Sequence, residues 1–261
     1  MKRFFRLTLL LIFASVGCSP GASADALRTL NVFAAASLTQ AFTEIGRNFG
    51  AAHPGVQVIF NFAGSQALRT QIEEGAPADV FASASPAEME PLVSGGLIAP
   101  DAVQVFLTNE LVVILPADNP AALENLEELA RPGIKLVLAA QEVPVGKYAR
   151  QSLDRMDGQF GSGFEDRVLA NVVSNEDNVR QVAAKVQLGE GDAGIVYASD
   201  AAAAPDLKTL QIPAELNVIA SYPVAPLAKS ANPDLAAAFV DYILSNEGQA
   251  VLQKWGFAPV R

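Results

Sequence analysis

LNVFAAASLTQ, residues Leu30–Gln40, predicts a buried strand that runs directly into a helix. Ser37 stands at the predicted N-cap and Gln40 follows three residues later, which is the S-x-x-Q pattern of a capping box. Apolar residues then recur at helical spacing and would share one face: Leu38, Ala41, Phe42, Ile45 and Phe49. A serine hydroxyl and unpaired backbone N–H groups therefore meet at the positive end of a helix, where α/β proteins bind anions.

Strand-like and helix-like segments alternate along the rest of the chain. Val56–Phe62 predicts a strand and Ser65–Glu74 a helix, and later apolar runs predict further strands at Leu111–Leu115, Val168–Val173 and Ala193–Tyr197. Alternation with short connections implies mostly parallel sheets with helices on both faces. The predicted fold class is therefore α/β, and 261 residues with 51% hydrophobic content suffice for one domain or two lobes.

Four segments share one form, a strand end followed by a turn and a helix start. They are Ala35–Thr39, Ala63–Leu68, Val143–Tyr148 and Asn175–Arg180. The first turn of a helix has unpaired N–H donors, and the helix dipole adds about half a positive charge. Several such ends directed at one point could hold a dianion with neutral donors alone.

The hydroxyl side chains at these junctions also have ordinary structural explanations. Serine is a favoured N-cap in any helix, which would account for Ser37 and Ser65 without a ligand. Tyr197 closes the strand-like run Gly194–Tyr197, where its hydroxyl could reach a ligand or belong to a buried tyrosine at a sheet edge. The residue pattern alone leaves both interpretations open.

The charge of the chain limits its partners. The formal net charge is −10, and removal of residues 1–24, which hold three basic and no acidic residues, makes it −13. Such an acidic protein is not expected to bind nucleic acid. Any anion site must therefore act through dipoles at short range, because salt screens the distant surface charge.

The first 24 residues predict a secretory signal peptide. Three basic residues precede the apolar run Leu7–Val16, and the small residues Ala22–Ala24 follow as a cleavage site. Cys18 offers an alternative, because Ser15–Cys18 partly resembles the cleavage site of a bacterial lipoprotein. We therefore expect a periplasmic protein cleaved after Ala24, with lipid anchoring through Cys18 as the alternative.

An exported α/β protein could also be a serine hydrolase, but the required residues are missing from the sequence. His53 is the only histidine and lies in an Ala-His-Pro-Gly turn, and neither Ser37 nor Ser65 belongs to a G-x-S-x-G elbow. Without a histidine nearby, a serine nucleophile is difficult to activate. One histidine and one cysteine also make a metal enzyme a poor expectation. The expectation is a protein that is not an enzyme.

Five motifs, taken together and in this order, resemble one known family. They are FAAASLT (33–39), GAPADVF (75–81), VPVGKYA (143–149), NVR (178–180) and GIVYASDA (194–201). The chain is similar over nearly its whole length beyond residue 24 to the periplasmic molybdate-binding proteins of bacterial ABC importers. These are type II periplasmic binding proteins.

The resemblance implies a two-lobed fold with the ligand in the cleft between the lobes. Residues 25–108 together with 223–261 would form lobe 1, and residues 109–222 would form lobe 2. The chain would cross between them near Val105–Leu111 and again near Ile219–Val224. Each lobe would be a mostly parallel sheet flanked by helices.

The resemblance also implies five binding residues. Ser37 and Ser65 would each give a hydroxyl and a backbone N–H to the oxyanion, Val145 and Val179 a backbone N–H, and Tyr197 its hydroxyl. The ligand would be molybdate or tungstate, the partner a membrane permease, and the receptor a monomer without a cofactor. Sulfate, which has the same charge and shape but is smaller, is the alternative ligand. Phosphate retains a proton at neutral pH and would need an acceptor that these five positions lack.

Overall fold

The computed structural model describes residues 27–260, which form two five-stranded sheets flanked by helices. The predicted signal peptide and Cys18 lie outside the described residues. Over residues 27–260, every helix is too short or too polar to span a bilayer.

The strands alternate with helices as the sequence predicts. The strands are β1 (Arg28–Ala35), β2 (Val56–Ala63), β3 (Val80–Ala82), β4 (Gln104–Asn109), β5 (Leu111–Leu115), β6 (Leu136–Ala139), β7 (Val172–Glu176), β8 (Ala193–Tyr197), β9 (Lys208–Gln211) and β10 (Ala220–Pro226). The α-helices are α1 (Thr39–Ala52), α2 (Ser65–Glu73), α3 (Pro86–Ser94), α4 (Pro144–Phe160), α5 (Phe164–Leu169), α6 (Val179–Gln187), α7 (Ala198–Ala202), α8 (Pro233–Leu244) and α9 (Asn246–Lys254). Single 3₁₀ turns occur at Ala36–Leu38, Pro100–Ala102 and Leu126–Ala130.

The first lobe is built on the sheet with strand order β2-β1-β3-β10-β4, and the second lobe on the sheet with order β7-β6-β8-β5-β9. In the first sheet, β1 pairs in parallel with β2 and β3, whereas β10 pairs antiparallel with β3 and β4. In the second sheet, β6 pairs in parallel with β7 and β8, whereas β5 pairs antiparallel with β8 and β9. Four strands of each sheet thus run in the same direction, and the sheets are mixed because β5 and β10, which follow the crossings between lobes, run in the reverse direction.

The chain crosses between the two sheets at two neighbouring places. Glu110 alone separates β4 from β5, and residues 212–219 connect β9 with β10. The Asn217 side chain joins the crossings, since its amide accepts from the Leu111 N–H at 3.0 Å and donates to the Leu111 carbonyl at 2.9 Å. The sequence boundary of 222/223 assigned residues 220–222 to lobe 2. These residues belong to the first sheet instead, because β10 begins at Ala220.

One predicted strand is partly wrong. Val168 and Leu169 end helix α5, and the strand begins only at Val172. The run of apolar residues from Val168 to Val173 belongs to two elements, because Val168 is buried on the helix whereas Val173 is exposed on an outer strand. A short apolar run does not by itself distinguish the end of a helix from a strand.

The core of the first lobe fixes the position of helix α1, which follows Ser37 at the cleft. Helix α1 packs with Phe42 against three aromatic rings, those of Phe60, Phe106 and Phe239, at centroid distances of 6.2, 5.9 and 6.2 Å. Phe42 is fully buried, and tilted aromatic contacts of this kind add to the energy of apolar burial. The first part of α1 is therefore held against β2, β4 and α8.

Candidate functional site

One pocket lies between the two lobes, at the carboxyl ends of strands from both sheets. All thirteen of its lining residues are uncharged. The five residues singled out from the sequence, Ser37, Ser65, Val145, Val179 and Tyr197, all lie in its wall. The structure thus brings together residues that are up to 160 positions apart in the sequence.

The register of the first sheet explains why the two serines meet. Strands β1 and β2 are paired in parallel along their whole length, and their last residues, Ala35 and Ala63, are direct partners. Ser37 and Ser65 each follow two residues beyond these ends. Because both chains turn into a helix at the same edge of the sheet, the serines enter the pocket side by side.

Ser37 is not the N-cap that the sequence predicts, and its capping box with Gln40 does not form. It lies within the 3₁₀ turn Ala36–Leu38, and Leu38, with helical angles of φ −81° and ψ −4°, precedes α1. An N-capping serine needs extended backbone angles to reach the N–H groups of the first turn. The Ser37 hydroxyl oxygen instead lies 3.0 Å from the Tyr222 hydroxyl oxygen, in a contact that is buried.

Ser65 is the first residue of α2, as the sequence predicts within one residue at either end of the helix. Its hydroxyl oxygen accepts a hydrogen bond from the Ala84 backbone N–H at 3.0 Å. Gly64 precedes it at a close approach between the lobes, because a Cβ there would lie 2.5 Å from the Asp177 carbonyl oxygen. Across the same approach, the Gln66 side-chain amide donates to the Asp177 carbonyl at 3.1 Å.

Val145 contributes a backbone group at the start of α4. Pro144 occupies the first turn of the helix and has no N–H, so Val145 carries the first backbone donor of the helix. Gly146 comes so close to the end of β6 that a Cβ would meet the Ala139 carbonyl oxygen at 2.5 Å. This packing sets the start of the helix against the strand, and Val145 lines the pocket.

Val179 contributes a backbone group at the start of α6. The side chain of Asn178 caps this helix by accepting from the N–H groups of Arg180 and Gln181 at 3.0 and 3.2 Å. A single N-cap side chain satisfies only some of the donors in the first turn. The Asn178 side chain bonds to the two residues after Val179 and not to Val179 itself, which lines the pocket.

Tyr197 presents a buried hydroxyl at the end of β8. It ends β8 with 1% of its surface exposed, and among residues 27–260 its hydroxyl oxygen lacks a hydrogen-bond partner. Its ring packs edge-on against Tyr222 at a centroid distance of 5.7 Å. Burial raises the pKa of Tyr197 well above that of an ordinary tyrosine, so the hydroxyl retains its hydrogen at neutral pH. A buried hydroxyl of this kind needs an acceptor, which a ligand in the pocket could supply.

The pocket therefore combines hydroxyls and backbone N–H groups with no carboxylate in its wall. The described part of the chain contains no cluster of three or more histidine, cysteine or carboxylate side chains that could bind a metal ion. This set of groups suits an anion that only accepts hydrogen bonds.

Comparison with known proteins agrees with this architecture. A family model described as bacterial extracellular solute-binding protein matches residues 30–258. The chain belongs to this family. This solute-binding protein is 39% identical over 245 residues to the molybdate-binding protein ModA of Mycobacterium tuberculosis, which covers 94% of this chain and 90% of the relative.

Two solved structures show that its fold is that of periplasmic binding proteins. The periplasmic molybdate-binding protein of Azotobacter vinelandii matches with a TM-score of 0.78 and 21% identity, over 89% of this chain and 100% of that one. The sulfate-binding protein SubI of Mycobacterium tuberculosis matches with a TM-score of 0.80 and 21% identity, over 89% and 87%. Since the two likenesses are nearly equal, the fold itself does not select among oxyanions.

The solute-binding protein also has a buried carboxylate next to the pocket that sequence reasoning did not single out. Asp200 follows Tyr197 in helix α7, and within residues 27–260 neither of its carboxylate oxygens has a hydrogen-bond partner. Arg180 lies nearby, with its Nη1 atom 3.7 Å from Asp200 Oδ1. Burial raises the pKa of Asp200 to about 7, although the positive charge of Arg180 opposes the shift.

Tyr222 and Asn109 are two further residues of interest that sequence reasoning missed. Both are buried at the crossings between the lobes, Asn109 at the end of β4 and Tyr222 on β10. Asn109 gave no sequence signal beyond a polar residue between two apolar runs. The Tyr222-Pro223 pair masked the strand, because proline is unfavourable in most strand positions.

Proposed function

We propose that the protein is an extracytoplasmic receptor that binds molybdate and delivers it to the membrane permease of an ABC importer. The observation that carries this proposal is the convergence of two serine hydroxyls, two helix starts and the unpartnered Tyr197 hydroxyl on one uncharged pocket. Membership of the solute-binding family and the similarity to a molybdate-binding protein support the same ligand. Ser37, Ser65, Val145, Val179 and Tyr197 are the proposed binding residues.

The chemistry of the ligand matches the groups around the pocket. Molybdate at neutral pH is a fully deprotonated tetrahedral dianion, so each of its oxygens only accepts hydrogen bonds. Each charge-assisted hydrogen bond from a neutral donor contributes about 1.5–3 kcal/mol. Tungstate has the same charge and nearly the same size, and we propose that it binds as well. Sulfate is smaller, and we propose that it leaves donors on one side of the pocket out of reach.

Binding is proposed to close the two lobes on the anion. The first lobe supplies Ser37 and Ser65, and the second supplies Val145, Val179 and Tyr197. We place the lobe boundaries at Glu110 and just before Ala220, which shifts both boundaries predicted from the sequence, the first from 108/109 and the second from 222/223. An anion that contacts both lobes favours the closed arrangement over the open one, because only the closed form offers it every donor. The closed protein would then be the form that the permease recognises.

The alternative of a serine hydrolase finds no support in the position of His53. This residue follows the last turn of α1, a helix of 14 residues and therefore about 21 Å long, whereas Ser37 precedes its first turn. The imidazole Nδ1 lies 2.9 Å from the Phe49 carbonyl oxygen, and the ring stacks on Phe49.

We propose that the protein is not an enzyme and that it acts in the periplasm as a monomer without a cofactor, after removal of residues 1–24.

Calorimetric titration of the chain without residues 1–24 tests this function. Molybdate and tungstate should bind with micromolar to nanomolar dissociation constants, about −8 to −12 kcal/mol, and sulfate and phosphate at least 100-fold more weakly. Thermal unfolding with each anion provides a second readout, since a ligand that binds only the folded protein raises the midpoint. Millimolar binding of both molybdate and tungstate would overturn the proposal, and tighter binding of sulfate than of molybdate would replace the ligand.

A further inference from the structure

A buried chain of hydrogen bonds leads from the pocket to the crossing between the lobes. The Ser37 hydroxyl oxygen lies 3.0 Å from the Tyr222 hydroxyl oxygen. The Asn109 side-chain nitrogen donates to the same Tyr222 oxygen at 3.5 Å and to the Ser199 hydroxyl at 2.8 Å. All four side chains are at least 95% buried, so water does not compete for these groups.

The direction of these hydrogen bonds follows from the orientation of Asn109. Its carbonyl oxygen accepts from the Glu110 backbone N–H at 3.1 Å, so its nitrogen is the atom that faces Tyr222. An amide nitrogen only donates, and the Tyr222 oxygen is therefore an acceptor at this contact. The contact between the Ser37 and Tyr222 hydroxyls could run in either direction, but Ser37 is the only acceptor for the Tyr222 hydrogen among the hydrogen bonds of residues 27–260, so the Ser37 oxygen accepts it. Burial raises the pKa of Tyr222, so this hydrogen remains in place at neutral pH.

The consequence for Ser37 is that its own hydrogen is free to point into the pocket. Ser65 reaches the same state by a simpler route, since the Ala84 backbone N–H donates to its oxygen at 3.0 Å. In both serines a protein donor occupies the oxygen, and the hydroxyl hydrogen is the group that the pocket receives. Two unrelated contacts therefore leave both serine hydroxyls as hydrogen-bond donors to a ligand.

We infer that Asn109 and Tyr222 are positioning residues that hold the Ser37 hydroxyl as a donor, so that the site favours oxyanions without a proton. This inference rests on the proposed function and adds to it two residues outside the pocket wall that fix the direction of the Ser37 hydroxyl. An oxyanion that carries a proton would bring a donor against the donor hydrogen of Ser37. Neither hydrogen would then have an acceptor, which is costly in a buried site.

We call the hydrogen bonds that link Asn109, Tyr222 and Ser37 the relay. The substitution Asn109→Asp tests it by reversing the donor and acceptor at each of its contacts. Aspartate has nearly the same shape but replaces the donor nitrogen with a carboxylate oxygen, to which Tyr222 would donate. Ser37 would then donate to the Tyr222 oxygen and present a lone pair to the pocket. The readout is the ratio of the dissociation constants of hydrogen phosphate and molybdate, measured by competition at mildly alkaline pH. Both anions carry two negative charges there, so the added charge of the aspartate cancels in the ratio.

Asn109→Asp should lower this ratio by about 10-fold or more, because a charge-assisted donor to molybdate is lost while an acceptor for the phosphate proton is gained. Tyr222→Phe should weaken molybdate binding by about 2- to 12-fold, the effect of one ordinary hydrogen bond. In the double variant, Asn109→Asp should no longer change the ratio, because the Tyr222 hydroxyl that transmits its effect is gone. Tyr242→Phe, the same change on helix α8 away from the pocket, serves as the control.

The outcomes separate this inference from the proposed function. Wild-type protein that does not bind molybdate would overturn both. Wild-type protein that binds molybdate, with an unchanged ratio in Asn109→Asp or with a change that persists in the Tyr222→Phe background, would overturn the relay alone. If Asn109→Asp does not fold, Asn109→Leu replaces it. Leucine should weaken molybdate binding by about 2- to 12-fold with Tyr222 present and have no further effect in Tyr222→Phe, and equal effects in both backgrounds would overturn the inference.

Discussion

The two halves of the pocket present their donors in different ways. In the first lobe, Ser37 and Ser65 offer side-chain hydroxyls that already form hydrogen bonds within the protein. In the second lobe, Val145 and Val179 offer backbone N–H groups at helix starts, and the Tyr197 hydroxyl has no partner among the described residues. One half is thus prearranged by contacts within the protein, whereas the other lacks acceptors until an anion arrives.

This difference predicts which substitutions each half tolerates. The first half depends on side-chain identity, because the hydroxyl is the donor. The second half depends on backbone geometry, so its valines should be replaceable by any residue that keeps the helix start and the N–H. The experiments below test whether the halves differ in this way and whether they must meet.

The largest effect is expected for the double variant Ser37→Ala and Ser65→Ala. Loss of two charge-assisted donors, each contributing about 1.5–3 kcal/mol, should weaken molybdate binding by about 10²- to 10⁴-fold. Calorimetry of the single and double variants would show how strongly the two losses are coupled, because the serines lie side by side and share one ligand. The exposed pair Ser94→Ala and Ser162→Ala is the matched control. A double variant that binds as tightly as wild type would mean that both hydroxyls are structural.

The second-largest effect is expected in the free energy of unfolding. It comes from the ionisation of Asp200, which lies next to the half of the pocket formed by the second lobe. The folded protein holds the Asp200 proton up to about pH 7, whereas the unfolded chain releases it near the ordinary pKa of 3.8. Stability should therefore fall as pH rises from about 4 to 7, by up to about 4 kcal/mol for a shift of about three pKa units. Asp200→Asn should remove this slope and be more stable than wild type above neutral pH.

Denaturant unfolding over this pH range measures the slope, with the exposed Asp154→Asn as the control. A wild-type slope equal to that of Asp200→Asn would show that Arg180, at 3.7 Å, keeps the carboxylate charged at all these pH values.

The sequence predicted most of the fold where the signal is local. Leu111–Leu115 and Ala193–Tyr197 were confirmed as strands at their predicted bounds, because both are continuous buried apolar runs between clear breaks. Strand β10 was predicted only as a crossing segment, since Pro223 disguises a strand that is paired on both sides. The mixed direction of the sheets depends on how the chain crosses between lobes, which a local pattern does not encode.

The candidate site shows the same limit. Positions of the five predicted residues around one pocket follow from strand ends and helix starts, which the sequence signals well. Local signals do not predict the environment of Ser37, because its partner Tyr222 is 185 residues away in the sequence. A capping box was the natural local interpretation of Ser37 and Gln40, and a tertiary hydrogen bond replaced it. Asn109 and Asp200 escaped notice for the same reason.

The second half of the pocket can be tested without changing a hydroxyl. Val179→Pro removes the backbone N–H at the first position of α6, where proline is well tolerated, and Asn178 before it is already extended with φ −161° and ψ 166°. Molybdate binding should weaken by about 10- to 150-fold, the effect of one charge-assisted donor. Val179→Ala shortens the same side chain but keeps the N–H, and it should change binding by less than about threefold. Equal losses in the two variants would show that the side chain, not the backbone, determines affinity.

The smallest effect of this series tests whether the two halves must meet. A Cβ at Gly64 would lie 2.5 Å from the Asp177 carbonyl oxygen across the cleft, so Gly64→Ala should hold the lobes slightly apart without touching any of the five binding residues. Overpacking of this kind costs about 1–3 kcal/mol, which predicts molybdate binding about 5- to 150-fold weaker. Gly158→Ala, at a helix position with open space around it, is the control. The Gln66 side chain is also 2.5 Å from this Cβ but can move aside, whereas the Asp177 contact exists only when the lobes are together, so the unfolding temperature without ligand should change little. A large drop would place the strain within the first lobe instead.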